Sequence, residues 1–338
     1  MSATIRDVAQ QAGVGLGTVS RVINHRPSVS DATRQRVLSV IKHLNYVPNP
    51  TARRLSLGRT LTIAVIVPFF TRPAEVERLR GIEHVLVESA YDLILYNVET
   101  PEQRDTYFRD IPRRERVDGV LLLSLTPRDG DVKSFKKANV PIVLVDAHHP
   151  SLARLNQVIT DDVAGGCAAT QHLIELGHRR IGYLSDRLDE PFNFTSSRDR
   201  LQGYQQALQA AGILFRLDYH LQGDHGRYEA HRLAAQLLSL TDRPTAIFAA
   251  SDTQAMGVLE AARDASLRVP ENLSVIGYDD IEIAEYLGLT TMSQKLYQSG
   301  RRGMELLLAV LENPDAAPVT EVLPAELTVR GTTARVAA

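Results

Sequence analysis

The 338-residue sequence predicts a small all-α head followed by a larger α/β body of two doubly wound subdomains. In the first sixty residues, apolar side chains recur at helical spacing and are interrupted by a tight glycine turn. From Leu61 onward, short β-rich runs alternate with amphipathic stretches, which is typical of parallel sheets covered by helices on both faces. These units are too numerous for one sheet, so we expect two subdomains facing a cleft. Strands are predicted at 62–67, 93–96, 119–123, 142–145, 181–184, 246–248 and 273–276, and helices at 76–89, 163–176, 200–211 and 253–265.

The basic residues are concentrated at the start of the chain. The whole chain carries a net charge of −2, but residues 1–60 contain nine Lys and Arg against Asp7 and Asp31. The head therefore carries a charge of +7 and the remainder −9. A compact basic head on an acidic body indicates a polyanionic partner.

Composition and missing motifs argue against several classes of protein. The single cysteine, Cys167, cannot form an internal disulfide or a zinc cluster, so we expect a reducing, cytoplasmic setting. No apolar run approaches the roughly 18 residues of a membrane span, and the start lacks the apolar core of a signal peptide. Motifs of serine hydrolases, phosphate-binding loops, zinc proteases and Cys-x-x-Cys sites are missing. We therefore expect no cofactor, no metal, a solvated loop at His148 and His149, and no enzymatic activity.

Three helices are predicted in the head. Thr4 and Asp7 form a capping-box pattern, Gly13 ends the first helix, and Ser30 caps the third. The inward-facing residues are Ile5, Val8, Ala9 and Ala12, then Val19, Val22 and Ile23, then Val37, Leu38, Ile41 and Leu44. The outward face of the second helix carries Leu16, Gly17, Ser20 and Arg21. This arrangement is typical of a helix-turn-helix domain, whose second helix fits the major groove of DNA. The alternative is an ordinary three-helix bundle.

The residues themselves carry a more specific signal than their spacing. Those of the head are TIRDVA at 4–9, AGV at 12–14, TVSRVIN at 18–24 and LNYVPN at 44–49. Those of the body are Asp162 with Gly165, HLIELGHRRI at 172–181, RPTAIF at 243–248 and GYDDI at 277–281. Together they closely resemble the lac repressor (LacI/GalR) family over nearly the whole chain.

This resemblance implies a helix-turn-helix DNA-binding domain at 1–48, a hinge helix at 49–60 and a periplasmic-binding-protein-like body at 61–338. The body would divide into an N-subdomain of about 61–160 plus 292–322 and a C-subdomain of about 161–291 plus 323–333. In the family, the hinge helix is ordered only on DNA in the dimer, and its leucine, here Leu55, wedges into the minor groove. A flexible linker is the alternative. The DNA-binding residues expected from the resemblance and the outward face are Thr4, Leu16, Gly17, Thr18, Ser20, Arg21, Asn24, Ser28, Asn49, Ala52 and Leu55.

The resemblance also implies a small-molecule effector between the two subdomains. The positions that match family ligand contacts, or that lie beside them, are Phe69, Asp146, Ser196, Arg200, His225, Ser251, Asp279 and Gln294. Each of them has the alternative role of a hinge or loop residue that satisfies backbone groups.

The effector class is inferred from departures from the family. The chain has Arg72-Pro73-Ala74-Glu75 where relatives carry an aromatic pair, and His225 where an aromatic often stands, although Phe69 remains nearby. A nucleobase depends on stacking, whereas arginine and carboxylates can hold sugar hydroxyls. We therefore expect a neutral mono- or oligosaccharide or polyol, with a purine as the alternative. Acidic ligands are disfavoured beside two carboxylates, unless Arg72 or Arg200 offsets them.

The resulting hypothesis is a cytoplasmic, homodimeric transcriptional regulator, a repressor in the main interpretation, that binds a pseudo-palindromic operator under the control of a sugar. Two other kinds of regulator remain open as alternatives. One is a repressor that senses a purine corepressor, and the other is a regulator that binds a phosphoprotein. A periplasmic solute receptor and an enzyme are the alternatives from other classes. Tetramers stay open, although the tail after Thr332 is too short for an added leucine-heptad helix.

Overall fold

The computed structural model describes residues 3–24, 27–47, 58–147, 155–192 and 194–336. The chain consists of two compact units, Met1–Thr60 and Leu61–Ala338, each of which is described by itself. Among the described helices, none is long and apolar enough to cross a membrane. Part of the predicted hinge, with Asn49, Ala52 and Leu55, and the pair His148 and His149 lie outside the described residues.

The head contains the three predicted helices, α1 (Ile5–Ala12), α2 (Leu16–Ile23) and α3 (Asp31–His43). The capping box is present, because Asp7 N donates to Thr4 Oγ1 at 3.4 Å and Thr4 N donates to Asp7 Oδ2 at 2.8 Å. Gly13 ends α1 in the left-handed conformation, with φ of 64°. The small core of the head is formed by Val8, Ala9, Ala12, Val19, Val22 and Val37. The predicted helix-turn-helix arrangement is confirmed.

Two details of α3 differ from the prediction. Ser30 stands at the N-cap, but its hydroxyl donates to Thr33 Oγ1 at 3.0 Å and caps no backbone N–H. Leu38 was expected to face inward and is 41% exposed. The inward face of α3 follows Val37, Ile41 and Leu44, and Leu38 lies about 100° away from Val37 around the helix.

The described residues of the body form two six-stranded sheets. The strands of the first are β1 (Thr62–Pro68), β2 (Asp92–Val98), β3 (Gly119–Leu123), β4 (Ile142–Val145), β5 (Asn156–Thr160) and β11 (Thr320–Leu323). The strands of the second are β6 (Ile181–Asp186), β7 (His220–Gly223), β8 (Ala246–Ala249), β9 (Ser274–Asp279), β10 (Thr290–Ser293) and β12 (Glu326–Thr328). Their orders are β11–β5–β4–β3–β1–β2 and β12–β10–β9–β8–β6–β7. All neighbouring strands are parallel except β10 and β12.

Helices connect these strands and cover both faces of each sheet. They are α4 (Pro73–Leu86), α5 (Pro101–Asp110), α6 (Asp129–Ala138), α7 (Asp162–Glu175), α8 (Ser196–Ala210), α9 (Arg227–Leu238), α10 (Asp252–Asp264), α11 (Glu282–Tyr286) and α12 (Leu296–Glu312). Along β1, Ala64 and Ile66 belong to one apolar cluster, while Ile63, Val65 and Val67 belong to another. Because successive side chains point to opposite faces, both faces are buried, which confirms the doubly wound fold class.

The predicted strands correspond to β1–β4, β6, β8 and β9. The other five strands were not predicted, because they are short and mix polar with apolar residues, as in HLQG of β7 and TEVL of β11. The chain passes from one sheet to the other after β5, after β10 and after β11. Gln294 and Lys295 lie in the second of these passages, directly before α12.

Glycine contacts between α7 and α8 hold Arg200 in place. A Cβ on Gly203 would lie 2.1 Å from Val163 O, and a Cβ on Gly166 would lie 2.4 Å from Arg200 O. No other residue type fits such backbone contacts without displacing a helix. The close approach brings Arg200 of α8 against Asp162, the first residue of α7.

We predict that Gly203→Ala lowers the free energy of unfolding by about 1–3 kcal/mol, because the added methyl group overpacks the contact with α7. Gly130→Ala in α6 is the matched control, since a Cβ there meets no atom within 4 Å. The control should be neutral or stabilising by up to about 1 kcal/mol. Urea unfolding of both variants tests this, and equal midpoints would contradict the role assigned to Gly203.

Candidate functional site

The two sheets of the body face each other across a cleft at the carboxyl ends of their strands. Asp146 directly follows β4, Asp186 and Asp279 end β6 and β9, and Ser251 is the second residue after β8. All four line the cleft. Ligands of open α/β sheets bind at this end of the strands, where side chains from several strands converge.

Seven of the eight effector-binding positions expected from the sequence line this cleft: Asp146, Ser196, Arg200, His225, Ser251, Asp279 and Gln294. Phe69 is not among the lining residues. The guanidinium carbon of Arg72 lies 4.0 Å from the centroid of the Phe69 ring, and Phe192 packs edge-on against the same ring at 5.5 Å. Arg72 is therefore the group that faces the cleft, and Phe69 supports it.

Arg200 is buried on the side of the cleft that the C-subdomain forms. Its Nε donates to Asp162 Oδ1 at 2.8 Å, and its Nη1 donates to Ala250 O at 2.6 Å. Its guanidinium carbon lies 3.8 Å from the centroid of the Tyr278 ring, and Nη1 lies 3.7 Å from Asp279 Oδ1. These contacts fix the plane of the guanidinium, so that Arg200 is preorganised rather than free to move.

Arg78 is a cleft residue that the sequence analysis missed. It is 2% exposed and pairs with Glu75 Oε1 at 3.2 Å and with Asp146 Oδ2 at 2.7 Å. Its Nη2 also donates to Gln294 Oε1 at 3.1 Å. The sequence signal was available, because Glu75, Arg78 and Ile82 follow helical spacing on the buried face of α4, where charged residues are rare.

A continuous series of polar contacts crosses the cleft from one subdomain to the other. Its members in order are Asp146, Arg78, Gln294, Asp279, Arg200 and Asp162. In the middle of the series, Gln294 Nε2 donates to Asp279 Oδ1 at 2.5 Å. We name this series the cleft network. It joins a side chain that follows β4 to side chains on β9, α7 and α8, so both subdomains contribute to it.

Two buried polar atoms beside the cleft network have no hydrogen-bond partner among the described residues. They are Glu75 Oε2 and Arg78 Nε, an acceptor and a donor on the same helix. Burial raises the pKa of Glu75, against the opposing effect of Arg78. Orphaned polar groups are costly in a protein interior, and both of these atoms belong to residues that line the cleft.

The second subdomain contributes a further hydrogen-bonded carboxylate to the cleft. His225 Nδ1 lies 3.1 Å from Asp186 Oδ2, and Gln254 Nε2 donates to Asp186 Oδ1 at 2.8 Å. Burial works to raise the pKa of Asp186, but the hydrogen bond and charge of His225 outweigh it and hold the pKa below its usual range. Ser251 accepts from Gln254 N as the N-cap of α10, which gives it a structural role at this wall.

The backbone is strained where the strands enter the cleft. Phe69, Ser124, Asp146 and Asp279 have φ of 45°, 53°, 56° and 120°, in the region that favours glycine. Each of them follows or ends a strand of the sheets. Such strain is typical of functional sites, because the surrounding structure has to hold side chains in positions that a relaxed chain would not adopt.

The head presents the predicted outward face of α2 to solvent. Leu16 is 46% exposed, Gly17 and Arg21 are exposed, and Thr18 and Ser20 are half-buried. Arg21 Nε donates to Gly17 O at 2.9 Å, so the side chain lies along the outward face of its own helix. Ser28 is exposed. The structure therefore places these residues on an accessible surface.

Two other predicted DNA-binding residues have structural contacts within the head. The Thr4 hydroxyl takes part in the capping box with Asp7. Asn24 Nδ2 donates to Ser20 Oγ at 3.4 Å, while its buried Oδ1 has no partner among the described residues.

The described residues form no metal centre, because no three His, Cys, Asp or Glu side chains are grouped to hold an ion. The cleft offers hydrogen-bond donors and acceptors in fixed positions instead. It is built to bind a polar molecule.

Asp279 gives the cleft a measurable pH dependence. Burial raises its pKa to about 6, against the effects of Arg200, Arg78, Gln294 and His225. Because the pKa is higher in the folded than in the unfolded chain, stability contributed by protonated Asp279 is present below about pH 4 and is lost as the pH rises through about 6.

We predict that raising the pH from about 4 to about 7 changes the stability difference in favour of the Asp279→Asn variant. Its free energy of unfolding, relative to that of the unchanged protein, should rise by on the order of 2–3 kcal/mol. Asparagine does not titrate, so the loss on raising the pH disappears. Urea unfolding at both pH values measures the difference, with the exposed Asp315→Asn as control. If the difference in free energy of unfolding between the variant and the unchanged protein is the same at both pH values, the folded chain does not raise the pKa of Asp279.

Comparison with known proteins identifies the family. Residues 4–49 match the bacterial regulatory proteins of the lacI family, and residues 170–333 match a periplasmic binding protein-like domain. The ribose operon repressor of Escherichia coli (strain K12) is 37% identical over 318 residues, which cover 92% of this chain and 94% of the repressor.

Two solved structures extend the likeness to the whole architecture. The lac repressor dimer bound to operator and the anti-inducer ONPF has a TM-score of 0.85 at 28% identity, covering 99% of this chain and 100% of that chain. The complex of the transcriptional regulator CelR with cellobiose has a TM-score of 0.72 at 34% identity, covering 98% of this chain and 99% of that chain. With a DNA-binding head, a ligand-binding body and relatives matched along nearly their full length, the chain belongs to the lacI family of bacterial regulatory proteins.

Proposed function

We propose that this protein is a sequence-specific DNA-binding transcriptional repressor whose operator affinity is controlled by a small molecule bound in the cleft. The observation that carries the proposal is the cleft network, which joins two subdomains in a chain that also bears a helix-turn-helix head. The protein works by binding and not by catalysis, in the cytoplasm, where its operator is. The relatives that support this are repressors and regulators by name.

The effector is proposed to be a sugar. Hydroxyl, carboxylate and guanidinium groups dominate the lining, and Phe194 is its single aromatic residue apart from His225 among the described residues. A purine needs a flat apolar surface for stacking, and Phe69 does not provide one because Arg72 covers it. The CelR complex, which holds cellobiose, supports the same class of ligand.

The coupling between cleft and head follows from the passages between the subdomains. A ligand changes operator binding only if it has different affinities for two arrangements of the body. Rotation of one subdomain against the other would separate Gln294, directly before α12, from Asp279 of β9, which pair at 2.5 Å, or bring them together. The hinge segment at 49–60 precedes the first subdomain, and such a rotation would move two hinges in a dimer apart or together.

The proposed operator complex is a homodimer. One recognition helix reads too few base pairs for specificity, and a two-fold axis matches a pseudo-palindromic operator. The related lac repressor structure is a dimer on its operator. Asn49, Ala52 and Leu55 of the hinge would bind the minor groove at the operator centre, with Leu55 as the wedge.

The test of this function is selection of DNA from random sequence by the full chain, followed by gel shifts with and without sugars. A pseudo-palindromic consensus whose binding changes with one sugar is expected. Arg200→Ala should remove the sugar response and keep operator binding, because Arg200 lies in the body. Gln206→Ala, exposed on the same helix, is the matched control. Selection of no consensus would contradict the proposal, and a response only to hypoxanthine or guanine would favour the purine alternative.

We predict that Arg21→Ala removes preference for the operator and keeps salt-sensitive non-specific binding. An arginine that reads guanine bidentately contributes about 1–3 kcal/mol of discrimination in each half-site. Arg36 is an exposed residue of α3, and Arg36→Ala removes one positive charge, as Arg21→Ala does. This control should weaken binding to all DNA without altering sequence preference. Fluorescence anisotropy with operator and scrambled DNA measures the ratio, and an unchanged ratio in Arg21→Ala would refute the role of Arg21.

A further inference from the structure

Among the described residues that line the cleft, Arg72 is the one arginine whose guanidinium has no hydrogen-bond or ion-pair partner. The other two, Arg78 and Arg200, are engaged by carboxylates at 2.7 Å and 2.8 Å. The guanidinium of Arg72 donates no hydrogen bond to, and forms no ion pair with, any described residue of the chain. Its N–H groups are therefore available to a molecule in the cleft.

Arg72 is held in a fixed position although it has no charged partner. Its guanidinium lies on the Phe69 ring, which Phe192 braces from the side. Arg72 N donates to Phe69 O at 2.8 Å, directly before α4 begins at Pro73. Stacking on an aromatic face leaves the edge of the guanidinium, with its N–H groups, free for a planar or tetrahedral anion.

Three carboxylates of the cleft lining have partners within the protein, whereas Glu75 Oε2 has none among the described residues. Asp146 pairs with Arg78, Asp186 accepts from His225 and Gln254, and Asp279 accepts from Gln294. The sequence argument against acidic ligands assumed that two carboxylates would repel them. Arg72 can supply the offset that the sequence analysis left open, because its guanidinium has no hydrogen-bond or ion-pair partner among the described residues, whereas Asp146 already lies against Arg78.

The environment of Arg72 favours an anion. Burial lowers its pKa, and the charges of Asp186, Glu75 and Glu190 oppose this without forming an ion pair with Arg72. A half-buried cation without a partner is unfavourable, and a bound anion would relieve that cost. One and two turns further along α4, Glu75 Oε2 and Arg78 Nε are the orphaned acceptor and donor. Together they offer one site for an anion and further sites for hydroxyls.

We propose that the effector is a sugar bearing one anionic substituent, a carboxylate or a phosphate, and that Arg72 binds this substituent. The inference rests on the proposed function, since it assumes that the cleft binds a sugar. Glu75 and Arg78 contact hydroxyls of the same ligand, and Arg200 and Asp279 contact it from the opposite wall.

Calorimetry on the full chain with matched sets tests this: glucose, glucuronate and glucose 6-phosphate; galactose, galacturonate and galactose 6-phosphate; ribose, ribonate and ribose 5-phosphate. We expect an acidic member of one set to bind at least about tenfold more tightly than its neutral counterpart. Which member binds distinguishes carboxylate from phosphate. Arg72→Gln should weaken that binding about tenfold to a hundredfold, the range of a charged hydrogen-bonded contact, and Arg72→Lys should restore part of it.

Arg80→Gln, on the exposed face of the same helix, should leave all affinities unchanged. Arg72 caps no backbone group of α4 through its side chain, so its variants should keep the thermal midpoint of the unchanged protein. Tighter binding of the neutral sugars, or an acidic preference that survives in Arg72→Gln, would overturn the inference while the regulator function stands. Binding of no sugar would also overturn it, and the operator selection then decides separately whether the protein is a regulator.

Discussion

The body depends on the buried charges of the cleft network. Each of its ionic members is too costly to bury alone, so Arg78 requires Asp146 just as Arg200 requires Asp162. Gln294 connects the two pairs because its amide can accept from Arg78 and donate to Asp279 at the same time. Contacts of this kind are either made or broken, and they do not stretch gradually. The cleft is therefore suited to two discrete arrangements of the subdomains, which a regulator needs.

The fold supplies these charges from opposite sides. Parallel strands place their carboxyl ends at one edge, and each sheet presents that edge to the other across the cleft. Backbone strain at Asp146 and Asp279 aims their side chains into the cleft, and the glycines between α7 and α8 hold Arg200 against Asp162. The apolar clusters on both faces of each sheet stabilise this arrangement, since the cleft itself contributes little apolar burial.

Much of this molecule follows from local sequence patterns. Helical spacing, the capping box at Thr4 and the glycine turn at Gly13 predicted the head, because short helices and their ends are decided by neighbouring residues. Continuous apolar runs predicted the central strands, which are buried on both faces. The five strands that were missed, three of them at sheet edges, have only three to five residues and carry no such run, as in β7 and β12. Of the eight effector-binding positions expected from the sequence, seven line the cleft.

The sequence by itself determined the class of the molecule: a basic helix-turn-helix head, a doubly wound body and a polar cleft at strand ends. It did not determine which charges of the cleft are paired. Arg78 and Gln294 are 216 positions apart and meet only in the folded body. Spacing along one helix shows which residues share a face, but not what lies opposite that face. Tertiary structure alone decided that Phe69 lies beneath Arg72, and that Arg72 has no hydrogen-bond or ion-pair partner among the described residues while Arg78 is paired with Asp146.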